Sequence, residues 1–131
     1  MAVAALVVAI VALTRTAAKP TYSAAQSAEA QAQLCDRYKL AAQVVHLETT
    51  GPDGSAALAR IANTNGALIL ETAASNPALN VKFRDAAQAL AHSYQTVTAM
   101  GTMGQADPQF WAAINDSNAK NDVMRSLCGG D

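Results

Sequence analysis

The chain lacks most of the residue patterns that mark catalytic, nucleic-acid-binding or β-sheet proteins. Aromatic residues make up 5% of its 131 residues, and runs of β-branched or aromatic residues long enough for strands are missing. Nine basic and ten acidic residues are scattered along it, so it has neither a basic nucleic-acid footprint nor a polybasic patch for lipid headgroups. Alanine, the strongest helix former, is abundant instead, and this predicts an all-α protein.

Histidine and cysteine are equally scarce. The two histidines, His46 and His92, do not have the i,i+4 spacing that puts two ligands on one helix face. A metal site built from His46, Glu48 and His92 can be drawn but has little support. The two cysteines form no CxxC motif and no Cys/His cluster. We therefore predict no catalytic residues, no metal site and no cofactor, in a protein that is not an enzyme.

The one long apolar run lies at the amino terminus. Residues 1–14 contain no charge, glycine or proline, and the run stops at Arg15. At 1.5 Å per residue it spans roughly 21 Å, short of the ~30 Å hydrocarbon core of a bilayer and suited to a signal peptide. A signal peptide begins with basic residues, however, whereas here Arg15 and Lys19 follow the run. We predict a transmembrane (or signal) segment over 1–15 whose N-terminus is incomplete, and favour a retained anchor over a cleaved signal.

The cysteines indicate on which side of the membrane the remaining residues lie. An even count in an exported domain favours a disulfide between Cys35 and Cys128, worth about 4–5 kcal/mol in the chain-entropy estimate. The alternative is two unpaired buried thiols. The positive-inside rule, applied to Arg15 and Lys19, would instead send the domain inward. The conflict disappears if further residues, apolar and then basic, precede Met1 in the natural chain. We therefore predict a single-pass cell-membrane protein with an extracytoplasmic domain. Secretion after cleavage near residues 16–18 is the alternative.

Capping and turn residues divide the rest of the chain into a juxtamembrane tether, 16–22, and an exported helical domain, 23–131. Four helices of about twenty residues with short loops indicate an up-down-up-down bundle, in which Cys35 and Cys128 come together. The predicted helices run from a cap at Ser23 to about Leu47, from Asp53 or Ser55 to about Ala74, from Asn80 or a neighbour to Gly101, and from Asp107-Pro108 to Gly129.

Apolar spacing predicts which face of each helix is buried. The predicted core positions are Ala28, Ala32, Cys35, Tyr38, Ala42 and Val45 in the first helix; Leu58, Ile61, Ala62, Leu68 and Ile69 in the second; Phe83, Ala86, Ala87, Leu90, Tyr94 and Val97 in the third; and Phe110, Trp111, Ile114, Met124 and Leu127 in the fourth.

Asparagines interrupt the second and fourth helices. In the second they adjoin Gly66, which allows a kink or a tight helix crossing. In the fourth they recur every three residues, and so lie roughly on one face. A solvated face is the simplest interpretation of both groups, with partner contact or ligand contact as alternatives. The candidate partner contacts are Asn63, Asn65, Asn115, Asn118 and Asn121.

Four segments carry a resemblance to a known family: QLCDRYKLAAQVV, ARIANTNGALILETAASNPAL, FRDAAQALAHSYQTV and the closing LCGG. With the apolar segment before them, they resemble actinobacterial (mycobacterial-type) conserved membrane proteins described as alanine-rich or alanine- and proline-rich. The resemblance covers nearly the whole chain, but its motifs are patterns of helix and cysteine. It implies location and topology, and brings no established activity.

These observations predict a membrane-anchored, extracytoplasmic accessory or stabilising subunit of a larger envelope complex, such as a lipid transporter or a respiratory assembly. Its partners would be an integral membrane protein complex, contacted by the transmembrane helix and the exported domain, and the lipid bilayer. The alternative is a free periplasmic helical module that binds a small apolar ligand. A large, dry internal pocket would favour the alternative, and a filled core the subunit; the predicted pocket lining is Leu68, Phe83, Leu90, Tyr94 and Trp111.

Overall fold

A computed structural model describes residues 20–129 as four α-helices joined by short loops. The helices are α1 (Ala24–Thr50), α2 (Ala56–Ala74), α3 (Val81–Met100) and α4 (Pro108–Leu127). Consecutive helices pack against each other extensively, whereas α1 and α4 make far less contact. The predicted all-α class with four helices is therefore confirmed for the described residues.

Each helix begins where a polar side chain replaces the missing backbone partner of the first turn. Ser23, Ser55, Asn80 and Asp107 all accept a hydrogen bond from a first-turn N–H. At Ser23 the bond is reciprocal, because its own N–H donates to Oε1 of Gln26 at 2.8 Å, which completes a capping box. Caps satisfy N–H groups that have no carbonyl one turn earlier, so they fix where each helix starts.

Cys35 and Cys128 form the predicted disulfide, with Cα atoms 5.4 Å apart. The two residues are separated by 93 positions in the sequence. The bond joins the first half of α1 to the residue that follows α4. It therefore ties together two helices that make little contact with each other.

The centre of the bundle is filled by one large side chain from each helix and by many alanines. Leu34, Leu70, Leu90 and Met124 are the largest fully buried side chains. Alanines from α1, α2 and α3 fill the space around them, and because their side chains are small the helices approach closely. The buried alanines in contact with this cluster are Ala30, Ala41, Ala67, Ala74, Ala87 and Ala91.

The predicted core face of α1 is wrong in its first half. Ala28 and Ala32 are exposed, and Ala30 and Leu34 are buried in their place. Alanine occurs on every side of this segment, so its positions give no contrast between inside and outside. The one leucine there is the residue that marks the buried side.

The predicted core face of α2 is wrong at three of its five positions, whereas Ala62 is buried and Ile69 packs against the core as predicted. Leu58, Ile61 and Leu68 are exposed, although they were the strongest apolar residues of the predicted stripe. The buried side carries mostly small residues, and Leu70 is its one large aliphatic side chain. The buried residues of α2 are Ala62, Asn63, Gly66, Ala67, Leu70 and Ala74.

No helix within residues 20–129 is both long enough and apolar enough to span a bilayer. The predicted transmembrane (or signal) segment, 1–15, lies outside the described residues, as does most of the predicted tether, 16–22.

Candidate binding surfaces

Large aliphatic side chains of both α2 and α1 face solvent. Leu58, Ile61 and Leu68 follow each other at helical spacing along α2, and Leu40 and Leu47 do so along α1. Each of the five leaves between 41% and 56% of its surface exposed. We call this set the α1–α2 face. Its five side chains carry no charge, which is the composition of the centre of a protein interface.

Gly66 explains why α2 turns its small side inward. A Cβ atom placed on this glycine would lie 3.2 Å from Cδ2 and Cε2 of Tyr94 on α3 and 3.2 Å from Cγ2 of Val45 on α1. The three helices therefore meet at the tight crossing that the glycine indicated. A larger residue at this position would crowd Tyr94 and Val45, and Leu58, Ile61 and Leu68 lie on the exposed side of the helix.

A second surface is a cleft between α1 and α4, which make little contact with each other. It has a volume of about 590 Å³. Helix α1 forms one wall, α4 forms the other, and side chains of α2 and α3 form the floor. The lining residues are Tyr38, Ala42, Val45, His46, Thr49 and Thr50 on α1; Asn63 on α2; Tyr94 and Val97 on α3; and Trp111, Ile114, Ser117, Asn118, Asn121 and Arg125 on α4.

Two tyrosines line the cleft, and Tyr38 lies at the end nearer the disulfide. The Tyr38 hydroxyl donates toward Oδ1 of Asn121 at 3.0 Å and toward its backbone oxygen at 3.2 Å. Burial raises the pKa of Tyr38, opposed by the nearby Arg125 and reinforced by Asp122. Burial, together with the adjacent Tyr38, raises the pKa of Tyr94 well above its usual value. Both phenols therefore keep their protons at neutral pH, and the Tyr38 hydroxyl acts as a hydrogen-bond donor.

The five asparagines predicted as partner contacts fall into two groups. Asn63, Asn118 and Asn121 line the cleft, where Nδ2 of Asn63 donates to the Ala59 carbonyl at 2.8 Å. Asn65 and Asn115 are exposed, and Asn65 lies on the outer side of α2 between Ile61 and Leu68. The structure thus brings three of the five together, and their contact with a partner stays a prediction.

The residues predicted to line an internal apolar pocket do not enclose one. Leu90 is fully buried in the core, whereas Leu68 points outward on the α1–α2 face. Of the predicted set, Tyr94 and Trp111 line the cleft. Trp111 was predicted to be a core residue but is half exposed, with Nε1 donating to the Gln105 carbonyl at 2.8 Å. The polar middle of α4 was the sequence signal that marked this cleft.

Metal-binding groups and similarity to known proteins give no further indication of function. His46 lines the cleft, whereas His92 is exposed on α3. Within residues 20–129, no three His, Cys, Asp or Glu side chains are grouped closely enough to hold a metal ion. Comparisons with protein families, with curated proteins and with solved structures found no match for this chain.

Proposed function

We propose that this protein is a non-catalytic accessory subunit that docks on an integral membrane complex of the cell envelope through the α1–α2 face. The reversed burial of α2 carries the proposal. Its large aliphatic residues Leu58, Ile61 and Leu68 are exposed, as are Leu40 and Leu47 of the adjoining helix α1. Contiguous exposed apolar patches on soluble domains mark interaction sites. Covering a half-exposed leucine or isoleucine is worth about 1 kcal/mol, so the five together supply substantial binding energy.

The filled core supports docking at the surface over storage of a small apolar molecule inside the bundle. Leu34, Leu70, Leu90 and Met124 occupy the centre, where an internal ligand would otherwise lie. The partner surface is expected to be apolar and uncharged, to match the five side chains. Asn65 supplies one exposed amide among them for a hydrogen bond.

The disulfide supports an extracytoplasmic location, because such bonds persist in oxidising compartments and are rare in the cytosol. In this proposal, residues 1–15 anchor the protein in the membrane and hold the helical domain on the periplasmic side. A lipid transporter and a respiratory assembly are the kinds of complex proposed as partners.

The test is affinity purification of the full chain, tagged at the C-terminus, from gently solubilised membranes of cells that make it. We expect one integral membrane complex to be recovered in stoichiometric amount. The Ile61→Asn/Leu68→Asn variant should recover it at least tenfold less, because two polar side chains then occupy the contact. Quantitative mass spectrometry measures both recoveries and also the intact mass of the tagged chain.

A matched control changes two exposed apolar residues elsewhere. The Val81→Asn/Val123→Asn variant makes the same chemical change outside the α1–α2 face and should recover the complex as the wild type does. Recovery of a lone, shortened, soluble chain would refute the anchored subunit. Undiminished recovery with the Ile61/Leu68 variant would refute this face as the contact. A dimer of the full chain that this variant breaks would make the face a self-association surface instead.

A further inference from the structure

Three polar side chains in the floor and wall of the α1–α4 cleft are almost completely buried, yet each has an unused hydrogen-bonding group. Asn63, Tyr94 and Ser117 are 4%, 3% and 7% exposed, and all three line the cleft. Nδ2 of Asn63 donates to a carbonyl of its own helix, but its Oδ1 accepts from no described residue, and the Tyr94 and Ser117 hydroxyls donate to none. Within residues 20–129, every side-chain nitrogen or oxygen that is fully shut off from solvent has a partner. These three groups are therefore reached from the cleft, and their partners must come from it.

The unused groups are spread over three helices rather than gathered at one point. Two lie in the floor, on α2 and α3, and Ser117 lies in the α4 wall beside Asn118. The Asn118 side chain is exposed, and its amide pairs with no described residue. The same lining includes apolar surface from Val45, Val97 and Ile114. A ligand that matches this lining must carry donors, acceptors and apolar groups repeated along its length.

The cleft is long, and it is narrow at the end nearer the disulfide. Its α1 wall from Tyr38 to Thr49 is about 16 Å long at 1.5 Å per residue. The Tyr38 hydroxyl reaches the backbone oxygen of Asn121 on α4 at 3.2 Å, so a single side chain spans the gap there. A helix, about 10–12 Å across with its side chains, is too wide for that end, whereas an extended chain of about five residues matches the length at about 3.3 Å per residue. At its other end the cleft opens into a cavity of about 510 Å³, into which such a chain can continue.

Peptide units carry the groups that this lining leaves unpaired. Each unit has one N–H donor and one carbonyl acceptor, and a side-chain amide carries the complementary pair. The Oδ1 of Asn63 can accept from a backbone N–H, and the Ser117 hydroxyl can donate to a backbone carbonyl. The amide of Asn118 can do both. Val97 and Ile114 can then pack against an aliphatic side chain of the same segment.

Other elongated ligands match the lining less well. A single alkyl chain would leave the buried polar groups without partners. A neutral oligosaccharide supplies hydroxyls but no aliphatic side chain to cover Val97 and Ile114. A polyanion needs a row of cations, but Arg125 and Arg60 lie at opposite ends of the lining, and Glu48 lies in the same cavity as Arg60.

We infer that the α1–α4 cleft binds an extended polypeptide segment of about five residues. Backbone amides of the segment pair with Asn63, Ser117 and Asn118, and an aliphatic side chain packs against Val97 and Ile114. The lining shares no residue with the α1–α2 face, so the inference does not rest on the docking proposal.

Peptide selection on the full chain, kept in solution by an amphipathic polymer, tests the inference. A phage-displayed library of random peptides is first depleted on the Asn118→Phe variant, in which a ring at an exposed position blocks the cleft, and is then selected on the wild type. We expect a recurrent motif of about five residues that includes an aliphatic one. The synthetic peptide, carrying a benzophenone group, should label the cleft walls within residues 38–50 and 111–125. Failure to enrich a motif, or labelling confined to other residues, would overturn the inference.

Matched variants of α4 locate the contacts, with the dissociation constant of the synthetic peptide measured by fluorescence polarisation. Asn115→Phe adds the same ring as the depleting variant at an exposed position outside the cleft, and it should bind the peptide as the wild type does. Ser117→Ala removes one hydroxyl and should weaken binding about two- to tenfold, the range expected for one hydrogen bond. Ser126→Ala, at an exposed serine of the same helix, should leave binding unchanged. A peptide that binds the Ser117→Ala variant as tightly as the wild type would contradict the assigned contact.

Changes in the peptide test the backbone pairing. An N-methyl group replaces an amide hydrogen, so on a central residue of the motif it should weaken binding at least tenfold, and on a terminal residue less than twofold. Equal effects at every position would overturn the pairing. If no peptide is enriched but neutral oligosaccharides bind the wild type and not the Asn118→Phe variant, the cleft holds a sugar chain and the inference is wrong. A dimer of the full chain that Asn118→Phe breaks and Asn115→Phe keeps would assign the cleft to a second copy and would overturn it too.

Discussion

Gly66 and Tyr94 are in such close contact that a side chain on the glycine would have to displace the tyrosine ring. A Cβ atom on Gly66 would lie 3.2 Å from both Cδ2 and Cε2 of the tyrosine ring, and equally close to Cγ2 of Val45. Three helices therefore approach each other at one point, and the ring of Tyr94 is held with its hydroxyl toward the cleft. The same contact sets which side of α2 is buried. It thus links the α1–α2 face to the α1–α4 cleft.

Replacing Gly66 with leucine should destabilise the fold. Overpacking at a closely packed position costs about 1–3 kcal/mol, whereas leucine in place of glycine gains up to about 1 kcal/mol of helix propensity. We expect a net loss of about 1–2 kcal/mol in the free energy of unfolding, measured with urea. Thr64→Leu, on the exposed side of the same helix, is the control and should change stability by less than about 0.5 kcal/mol. A Gly66→Leu protein as stable as the wild type would contradict the tight crossing.

Two leucines of α2 should differ sharply in their contribution to stability. Leu70 is fully buried, whereas Leu68 is 54% exposed. Leu70→Ala should lower the free energy of unfolding by about 2–5 kcal/mol, and Leu68→Ala by less than about 1 kcal/mol. Both variants make the same chemical change in the same helix, so each controls for the other. Equal losses in urea denaturation would contradict the reversed burial of α2.

The helix starts could be predicted from sequence because capping is local. Ser23, Ser55, Asn80 and Asp107 were each named as caps or as one of two candidates, and each accepts a first-turn N–H. A cap depends on a side chain and the backbone within three residues of it. No tertiary contact is needed to recognise it. The starts of the four helices were therefore the part of the fold that could best be predicted from sequence.

The buried side of α2 could not be predicted in the same way. Apolar spacing predicted that Leu58, Ile61 and Leu68 are buried. The buried side is instead the one on which Gly66 contacts Tyr94 and Val45 of other helices. Sequence periodicity assumes that the largest apolar residues are inside, and here close helix approach requires small ones. The failure is informative, because it leaves an apolar surface exposed on a folded domain.

The cleft was predictable only in part. The row of asparagines in α4 indicated a polar face, and Asn118 and Asn121 do line the cleft. The predicted bundle topology placed α4 beside α1, and the disulfide confirms this placement near one end of the two helices. Whether the two helices also pack along their length depends on how α2 and α3 hold them apart, which no local pattern encodes.

Tyr94 should make the protein sensitive to alkaline pH. Its pKa is raised in the folded state, so above about pH 10 the unfolded chain loses this proton while the folded chain keeps it. The stabilising contribution is complete below pH 10 and declines as pH rises further, at a slope approaching about 1.4 kcal/mol per pH unit. Tyr94→Phe should remove this pH-dependent loss of stability, which amounts to about 1 kcal/mol at pH 11.

Urea denaturation of both proteins at pH 8 and pH 11 measures the effect. Between pH 8 and pH 11, the free energy of unfolding of the wild type should fall further than that of the Tyr94→Phe variant. Tyr22→Phe, at an exposed tyrosine near the start of α1, should keep the wild-type dependence on pH. A Tyr94→Phe protein that also keeps it would show that this phenol is not buried as described.

The disulfide should stabilise α4 more than any other helix. Cys35 and Cys128 close a loop across 93 sequence positions, for which chain entropy gives about 4–5 kcal/mol. Because α4 packs on α3 but little on α1, the bond and the Tyr38–Asn121 hydrogen bonds attach it to the first helix. The Cys35→Ser/Cys128→Ser variant should lose about that stability, and amide exchange should accelerate more within 108–127 than within 56–74. Ser126→Ala, at an exposed neighbour, should change neither, and uniform acceleration across both helices would contradict the weak packing between α1 and α4.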